Sequence, residues 1–448
     1  MGWQLVISFL LNGETQGVQN LRNHQGERRV LPCLLVKRMA FLVSLGMPVL
    51  YASLLALFLV VAWAIYQDQR RLDIPAGIKY PVRLRVLHTL LKLGGFVGLI
   101  LEKLSIQNQY RFIDKAIGLI ITKRSSTLTI KDFDFDGVPV RVYWPKTTPS
   151  GMRRGVVLVP GGGGIMGNIW LGDPLCRYIA KETDSVTVNI AFRLAPQHPF
   201  PIPVMDCCTA TAHFLKNASD YGVDPNRIAL YGECSGGTFA TVVCQQLAAR
   251  PDLPKPCAQV LLYPYFQAVD FNLPSYQQNQ AVPMLFKKRA VQLGTVYLKG
   301  KRFNIEPVMR NAHLPKHVWM KYRKWVSHDL IPERFKGRGY VPMEWPEFIP
   351  DVYEQCKELI NPMFSPLLSE DDVIRQLPKT FILTCEYDVF RDDCLLYKKR
   401  LEDNGVPVTW YHVEEGFHCM TVWLDTPLLE YPTLKMHFRH VTDFINSI

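Results

Sequence analysis

Six short, almost continuous apolar runs constrain the fold of this chain more than any other feature. They are "GVVLVP" (155–160), "SVTVNIAF" (185–192), "RIALYG" (227–232), "QVLLYP" (259–264), "TFILTCE" (380–386) and "PVTWYHV" (407–413). A strand with one wet face alternates apolar and polar residues. Most of these runs do not, so both of their faces must be covered. The intervals between them are long enough for helical crossovers, the connections that parallel strands need. The pattern specifies an α/β domain with a mainly parallel sheet flanked by helices. Two more β-like runs, "TLTIKDFDF" and "PVRVYW", are joined by "DG", a hairpin signal, so the body spans 126–448. From about 270 to 374 no strong strand interrupts the chain, and that interval reads as a cap insertion.

Ahead of the body, residues 75–125 carry two apolar stretches at helical spacing, separated by "SIQNQ", which read as a helical cap segment. Residues 40–66 contain no charge. About 20 apolar residues cross a bilayer core, so this stretch is expected to be a transmembrane helix. It is longer than the core of a cleaved signal peptide and is followed by "QDQRRLD", which indicates an uncleaved signal anchor. Basic residues flank it on both sides, so charge alone does not orient it. Residues 1–39 read as a polar, basic extension, with Met39 a second candidate start. The sequon Asn217-Ala218-Ser219 is a glycosylation acceptor if the body is lumenal.

The formal net charge of the 448 residues is +11. Between Phe286 and Tyr340 fourteen Lys and Arg face three acids, Glu306, Asp329 and Glu333. That segment reads first as a solvated surface, with contact to anionic lipid as the sharper alternative. No pattern of a nucleic-acid-binding module accompanies the charge. The eleven cysteines are scattered, and no CxxC or HExxH spacing suggests a metal site or a disulfide framework. No cofactor motif is visible.

Ligand sites of open parallel sheets lie at the carboxyl ends of the strands. One such end reads "YGECSGGTF" (231–239). In the turn pattern G-x-nucleophile-x-G the two glycines select the central residue. Gly232 and Gly236 fit that frame around Cys234, whereas a frame centred on Ser235 would place Glu233 where a glycine belongs. Cys234 would then stand at a helix start, where the dipole favours a thiolate, with the Ser235 side chain facing into the helix and its N–H aimed at the site. A nucleophile needs a base and the base an orienting acid. Asp388, at the end of "FILTCEYD", and His418, after the last strand, follow in that order. Asp392 and Asp393 are alternatives for the acid; His412, His437 and His440 fall within a strand or a helix. The run Gly161–Gly164 can bring backbone N–H groups close to an oxyanion, and Gly162, Gly163 and Ser235 are the candidate donors.

Five motifs in order, "PGGG" (160–163), "FRLAPQHPFP" (192–201), "GECSGG" (232–237), "DVFRDD" (388–393) and "GFH" (416–418), resemble those of the hormone-sensitive-lipase-like α/β-hydrolases, and most closely the arylacetamide deacetylase-like branch. The family pattern is HGGG, YRLAPEHPFP, GDSAGG, DxLRD[DE] and GxH. The resemblance runs from about residue 75 to the C-terminus. It implies an α/β-hydrolase fold, hydrolysis of hydrophobic esters or lipid esters, an endoplasmic reticulum membrane anchor of single-pass type II, and a lumenal body. It also implies Cys234 as nucleophile, Asp388 as acid and His418 as base. Two positions depart from it: cysteine replaces the nucleophilic serine at 234, and Pro160 replaces the histidine of the glycine loop. A bridge that some relatives form at the position of Cys385 lacks its partner cysteine here. The departures leave a second expectation open, a pseudoenzyme that binds lipid or ester ligands; acyl transfer from a thioester is a third.

Overall fold

The computed structural model describes residues 30–121, 127–149, 151–167, 169–426 and 429–448, without the side chains of 30–46 and 119–121. The chain divides into two compact units at Arg71.

The first unit contains helix α1, Val30–Arg71. Residues 1–29 of the expected extension lie outside the described residues. The helix begins ten residues earlier than the uncharged run, because "VLPCLLV" is itself apolar and Pro32 falls in the first turn, where its missing N–H costs little. Its stretch Met47–Arg71 has a mean hydropathy of 2.3, enough to cross a membrane by length and composition. Leu54, Leu55, Phe58 and Trp63 are exposed along it.

The second unit opens with α2 (Pro81–Lys103) and α3 (Gln109–Ile121), an antiparallel pair. Gly98 lets them approach: a Cβ there would stand 3.0 Å from the Gln109 carbonyl oxygen. Strands β1 (Leu128–Phe135) and β2 (Val138–Pro145) form the expected hairpin. The remaining strands are β3 (Arg153–Val159), β4 (Val186–Ile190), β5 (Val223–Glu233), β6 (Ala258–Leu262), β7 (Lys379–Tyr387) and β8 (Val408–Phe417). All eight join one sheet in the order β1-β2-β4-β3-β5-β6-β7-β8, antiparallel at β1–β2 and β2–β4 and parallel elsewhere. Every residue of β4 and β6 is buried, as the unbroken apolar runs require. Helices α4 (Ile169–Thr183), α5 (Ile202–Lys216), α6 (Ser235–Ala248), α7 (Lys287–Lys299), α8 (Arg391–Asp403) and α9 (Leu434–Asn446) complete the unit.

Strand order reverses at β3. Its connection through α4 leads to β4 on one side, and the next through α5 returns to β5 on the other. The carboxyl ends of β3 and β5 therefore flank a crevice, the place where such sheets bind ligands. Between β6 and β7, across the interval proposed as a cap, lie α7 and several short helices but no described strand. The cap sits close to the glycine loop: a Cβ on Gly164 would meet the Tyr297 ring of α7 at 2.5 Å. Asp393 of α8 fastens the cap entry by accepting the Phe266 N–H at 2.9 Å and the Gln267 side-chain amide at 2.9 Å. Asp392 accepts the Ser275 N–H at 2.7 Å, so both alternative acids serve as structural anchors.

Candidate active site

Sharp turns need residues without side chains, and the elbow at the end of β5 meets that need twice. A Cβ on Gly232 would lie 2.2 Å from the Gly236 carbonyl oxygen, and one on Gly236 would lie 2.1 Å from the Val159 carbonyl oxygen. Both glycines are thus required by contact with backbone, and the residue between them on the turn is Cys234. Its φ of 52° and ψ of −131° lie in a region that non-glycine residues avoid, a cost of about 1–3 kcal/mol. The Cys234 N–H bonds to the Leu262 carbonyl at 2.9 Å, which ties the turn to β6.

His418 follows β8 directly. Its Nδ1 lies 2.7 Å from Asp388 Oδ2, just beyond β7, and Asp388 Oδ1 accepts the Phe390 N–H at 2.9 Å. The ring packs between Tyr263 and Phe390, with centroids at 5.1 and 5.3 Å. His418 Nε2 is buried and has no hydrogen-bond partner among the described residues. A ring nitrogen of His418 lies within 4.8 Å of the Cys234 sulfur. Burial opposes charge on His418, but Asp388 and the Cys234 sulfur outweigh it and push its pKa up to about 10. The neighbouring Cys419 thiol, against burial and together with His418, holds Cys234 well below the usual thiol range. The arrangement thus favours a thiolate beside an imidazolium, with a second proton kept on Cys419.

The other candidate residues fall elsewhere. His412, in β8, bonds Thr384 Oγ1 at 2.9 Å and pairs with Glu386. His437 bonds Tyr411 and Glu415, and His440 stacks on Tyr411. Asn217 caps the end of α5 by donating its side-chain amide to the His213 carbonyl at 2.8 Å. Cys385 is a free, buried thiol against the Met420 sulfur. Lys288, Lys299, Arg323, Lys336 and Arg338 of the basic segment are engaged in ion pairs with nearby acids.

Two features escaped the sequence reading. The Ser235 side chain does not turn into the helix: its Oγ accepts the Gly163 N–H at 2.7 Å. This corrects the expectation of a backbone-only Ser235, and it occupies one expected oxyanion donor. The physical reason is that a helix N1 side chain can bend back toward the loop crossing its start, and a hydroxyl finds an N–H there. The second is Cys419, whose left-handed φ of 61° places its sulfur within 4.8 Å of that of Cys234. Its position next to His418 was the only signal, since the two thiols are far apart in sequence. Glu233 is buried and accepts hydrogen bonds from Tyr263 at 3.1 Å and from Thr421; burial raises its pKa despite them.

A cavity of about 630 Å³ opens over these groups. Gly161–Gly163, Cys234 and His418 form one wall, and Phe96 and Leu99 of α2 and Phe286 and Leu293 of the cap form others. Most of its lining is hydrocarbon, with Arg289 among the few charged groups.

Sheet order, elbow and the Asp388–His418 pair define the class, the α/β-hydrolases. A family model described as an alpha/beta hydrolase fold matches residues 156–319 and 329–422. The chain is 41% identical over 389 residues to human arylacetamide deacetylase-like 3, covering 87% of this chain and 96% of that protein. It is 35% identical to rat neutral cholesterol ester hydrolase 1, covering 84% and 93%. An esterase from Pyrobaculum calidifontis shares the fold with a TM-score of 0.60 at 20% identity, covering 83% of this chain and 98% of the esterase. The chain belongs to the arylacetamide deacetylase-like family of α/β-hydrolases.

Proposed function

We propose that the protein is a membrane-anchored carboxylic-ester hydrolase for hydrophobic esters, with Cys234 as nucleophile, His418 as proton carrier and Asp388 as its orienting acid. The observation that carries this reading is the His418 ring, bonded to Asp388 on one side and facing the Cys234 sulfur on the other. The Cys234 thiolate attacks the ester carbonyl carbon, and the N–H groups of Gly162, Gly163 and Ser235 receive the oxyanion. The C–O bond then breaks as His418 gives its proton to the departing alkoxide, leaving a thioester. Water, losing a proton to His418, attacks that thioester, and the acid departs as the Cys234 thiolate re-forms beside the imidazolium. Relatives named as an arylacetamide deacetylase-like protein and as a cholesterol ester hydrolase support an ester substrate, and the apolar cavity supports a hydrophobic one.

Helix α1 supports a membrane anchor. Although α2 also has the length and mean hydropathy (1.6) to cross a membrane, its packing on α3 and its place in the cavity wall support a single pass. The family resemblance and the Asn217 sequon support a lumenal body in the endoplasmic reticulum, type II. A shift of electrophoretic mobility on glycosidase treatment, absent in Asn217→Gln, is the expected result.

The full chain in detergent should hydrolyse short-chain aryl esters, and Cys234→Ala should reduce the rate to the background of the buffer. Activity retained in that variant refutes the assignment. One observation favours a second reading, ligand binding without turnover: the Gly163 N–H is already bonded to Ser235 Oγ. Under that reading the wild-type rate itself equals the background.

A further inference from the structure

Cys419 is a thiol with no role in the hydrolytic scheme, yet the fold places it against the nucleophile. The sulfurs of Cys234 and Cys419 and a ring nitrogen of His418 all lie within 4.8 Å of one another. We propose that these three residues form a binding site for a soft divalent cation, Zn²⁺, with a fourth position open to the cavity.

Four observations carry the assignment. The ligand set is two thiolates and one imidazole, a combination that selects zinc over hard cations. Zinc bonds of about 2.3 Å to sulfur and 2.0 Å to nitrogen at tetrahedral angles need ligand atoms roughly 3.6–3.8 Å apart, so the three close on an ion with movements of about 1 Å. His418 Nε2 is buried and without a hydrogen-bond partner among the described residues, while Nδ1 is held 2.7 Å from Asp388. A carboxylate behind a ligating histidine fixes the ring and raises its basicity, which is the usual outer partner of a zinc-bound imidazole. All three residues also line the cavity, so a water or a ligand atom can reach the fourth position. Two thiolates balance the charge of the ion in an otherwise buried site.

Binding releases two protons. Cys419 loses its thiol proton, and the single proton shared by Cys234 and His418 leaves as both become ligands. Zinc then occupies the sulfur lone pair and the imidazole nitrogen that hydrolysis requires, so the bound ion inhibits. This inhibitory consequence rests on the hydrolase reading, whereas the binding does not.

The test uses the full chain in detergent, reduced with a phosphine, stripped of metal and titrated with Co²⁺ alone. The expected result is one Co²⁺ taken up per chain with release of two protons, sulfur-to-cobalt charge-transfer absorption and four-coordinate ligand-field bands, and displacement by one equivalent of Zn²⁺ without further proton release. Cys419→Ala and Cys419→Ser should each weaken uptake at least tenfold, and Asp388→Asn about 10–100-fold. Asp388→Asn keeps the test open if the Cys419 variants fail to fold. A cobalt spectrum without the sulfur band, or an affinity unchanged in the Cys419 variants, overturns the proposal. A chain that hydrolyses esters when metal-free but shows no sulfur band with Co²⁺ refutes the metal site alone; one that shows the band but hydrolyses no ester in its reduced, metal-free form refutes the hydrolase reading alone.

Discussion

Replacing Gly236 by alanine tests whether the elbow is framed on Cys234. The new Cβ would lie 2.1 Å from the Val159 carbonyl oxygen and 2.8 Å from that of Pro160. Ordinary contact begins at 3.4 Å, so the start of α6 must retreat from the end of β3 by about 1.3 Å. Both neighbours are backbone, which cannot swing aside. Cys234 is the N-cap of that helix, and the same retreat carries its sulfur away from a substrate carbonyl. A misplacement of about 1 Å costs on the order of a hundredfold in rate, or about 2.7 kcal/mol of barrier. Overpacking of this kind also destabilises by about 1–3 kcal/mol. The assay is kcat/KM for an aryl acetate well below the unfolding temperature, with a thermal melt alongside. Gly294→Ala is the contrasting control: it lies inside α7, where the nearest described atom outside that helix is Phe364 Cζ at 3.8 Å, and should raise stability by about 0.5–1 kcal/mol. A Gly236→Ala enzyme within twofold of wild type in kcat/KM would refute the reasoning, since the frame would then not position the nucleophile.

Two further perturbations probe the oxyanion loop and the cap. Ser235→Ala removes the acceptor that holds the Gly163 N–H, so that N–H reaches the oxyanion without first giving up a neutral hydrogen bond worth about 1 kcal/mol; kcat should rise roughly fivefold. A tenfold fall would show instead that the hydroxyl holds the loop in place. His313, buried in the cap with Nε2 2.9 Å from the Ala268 carbonyl, is pushed down to about 4 by burial, against that hydrogen bond. Its folded pKa is depressed below the unfolded value near 6.5, so the unfolded chain takes up a proton first as pH falls. The stability at stake is fully present above about 6.5 and lost progressively down to about 4, at most about 3 kcal/mol. Denaturation between those pH values should show a shallower slope for His313→Gln than for wild type; equal slopes would place the acid sensitivity elsewhere.

The sheet was legible because its strands are buried on both faces and carry that burial as unbroken apolar runs. The elbow was legible for a related reason: Gly232 and Gly236 meet backbone, and no other residue type fits. Asp388 and His418 could be placed because each follows a strand directly, so strand order alone brings them together. The Ser235–Gly163 bond depends on a rotamer choice at a helix start, and local sequence does not encode where the glycine loop crosses. Cys419 depends on a single left-handed residue after β8 that aims its sulfur back at Cys234; neither spacing nor periodicity carries that information. The early start of α1 is plain in the apolar "VLPCLLV", once its first-turn proline is read as tolerated rather than as a break.

The most direct test of the central claim is the mass of the intact full chain, quenched in acid within a turnover after mixing with a slowly hydrolysed aryl ester. A Cys234 nucleophile predicts one acyl group per chain, mapped by digestion to the peptide containing Cys234, removed by hydroxylamine and absent from Cys234→Ala. Ester hydrolysis that continues in Cys234→Ala without an adduct would contradict it.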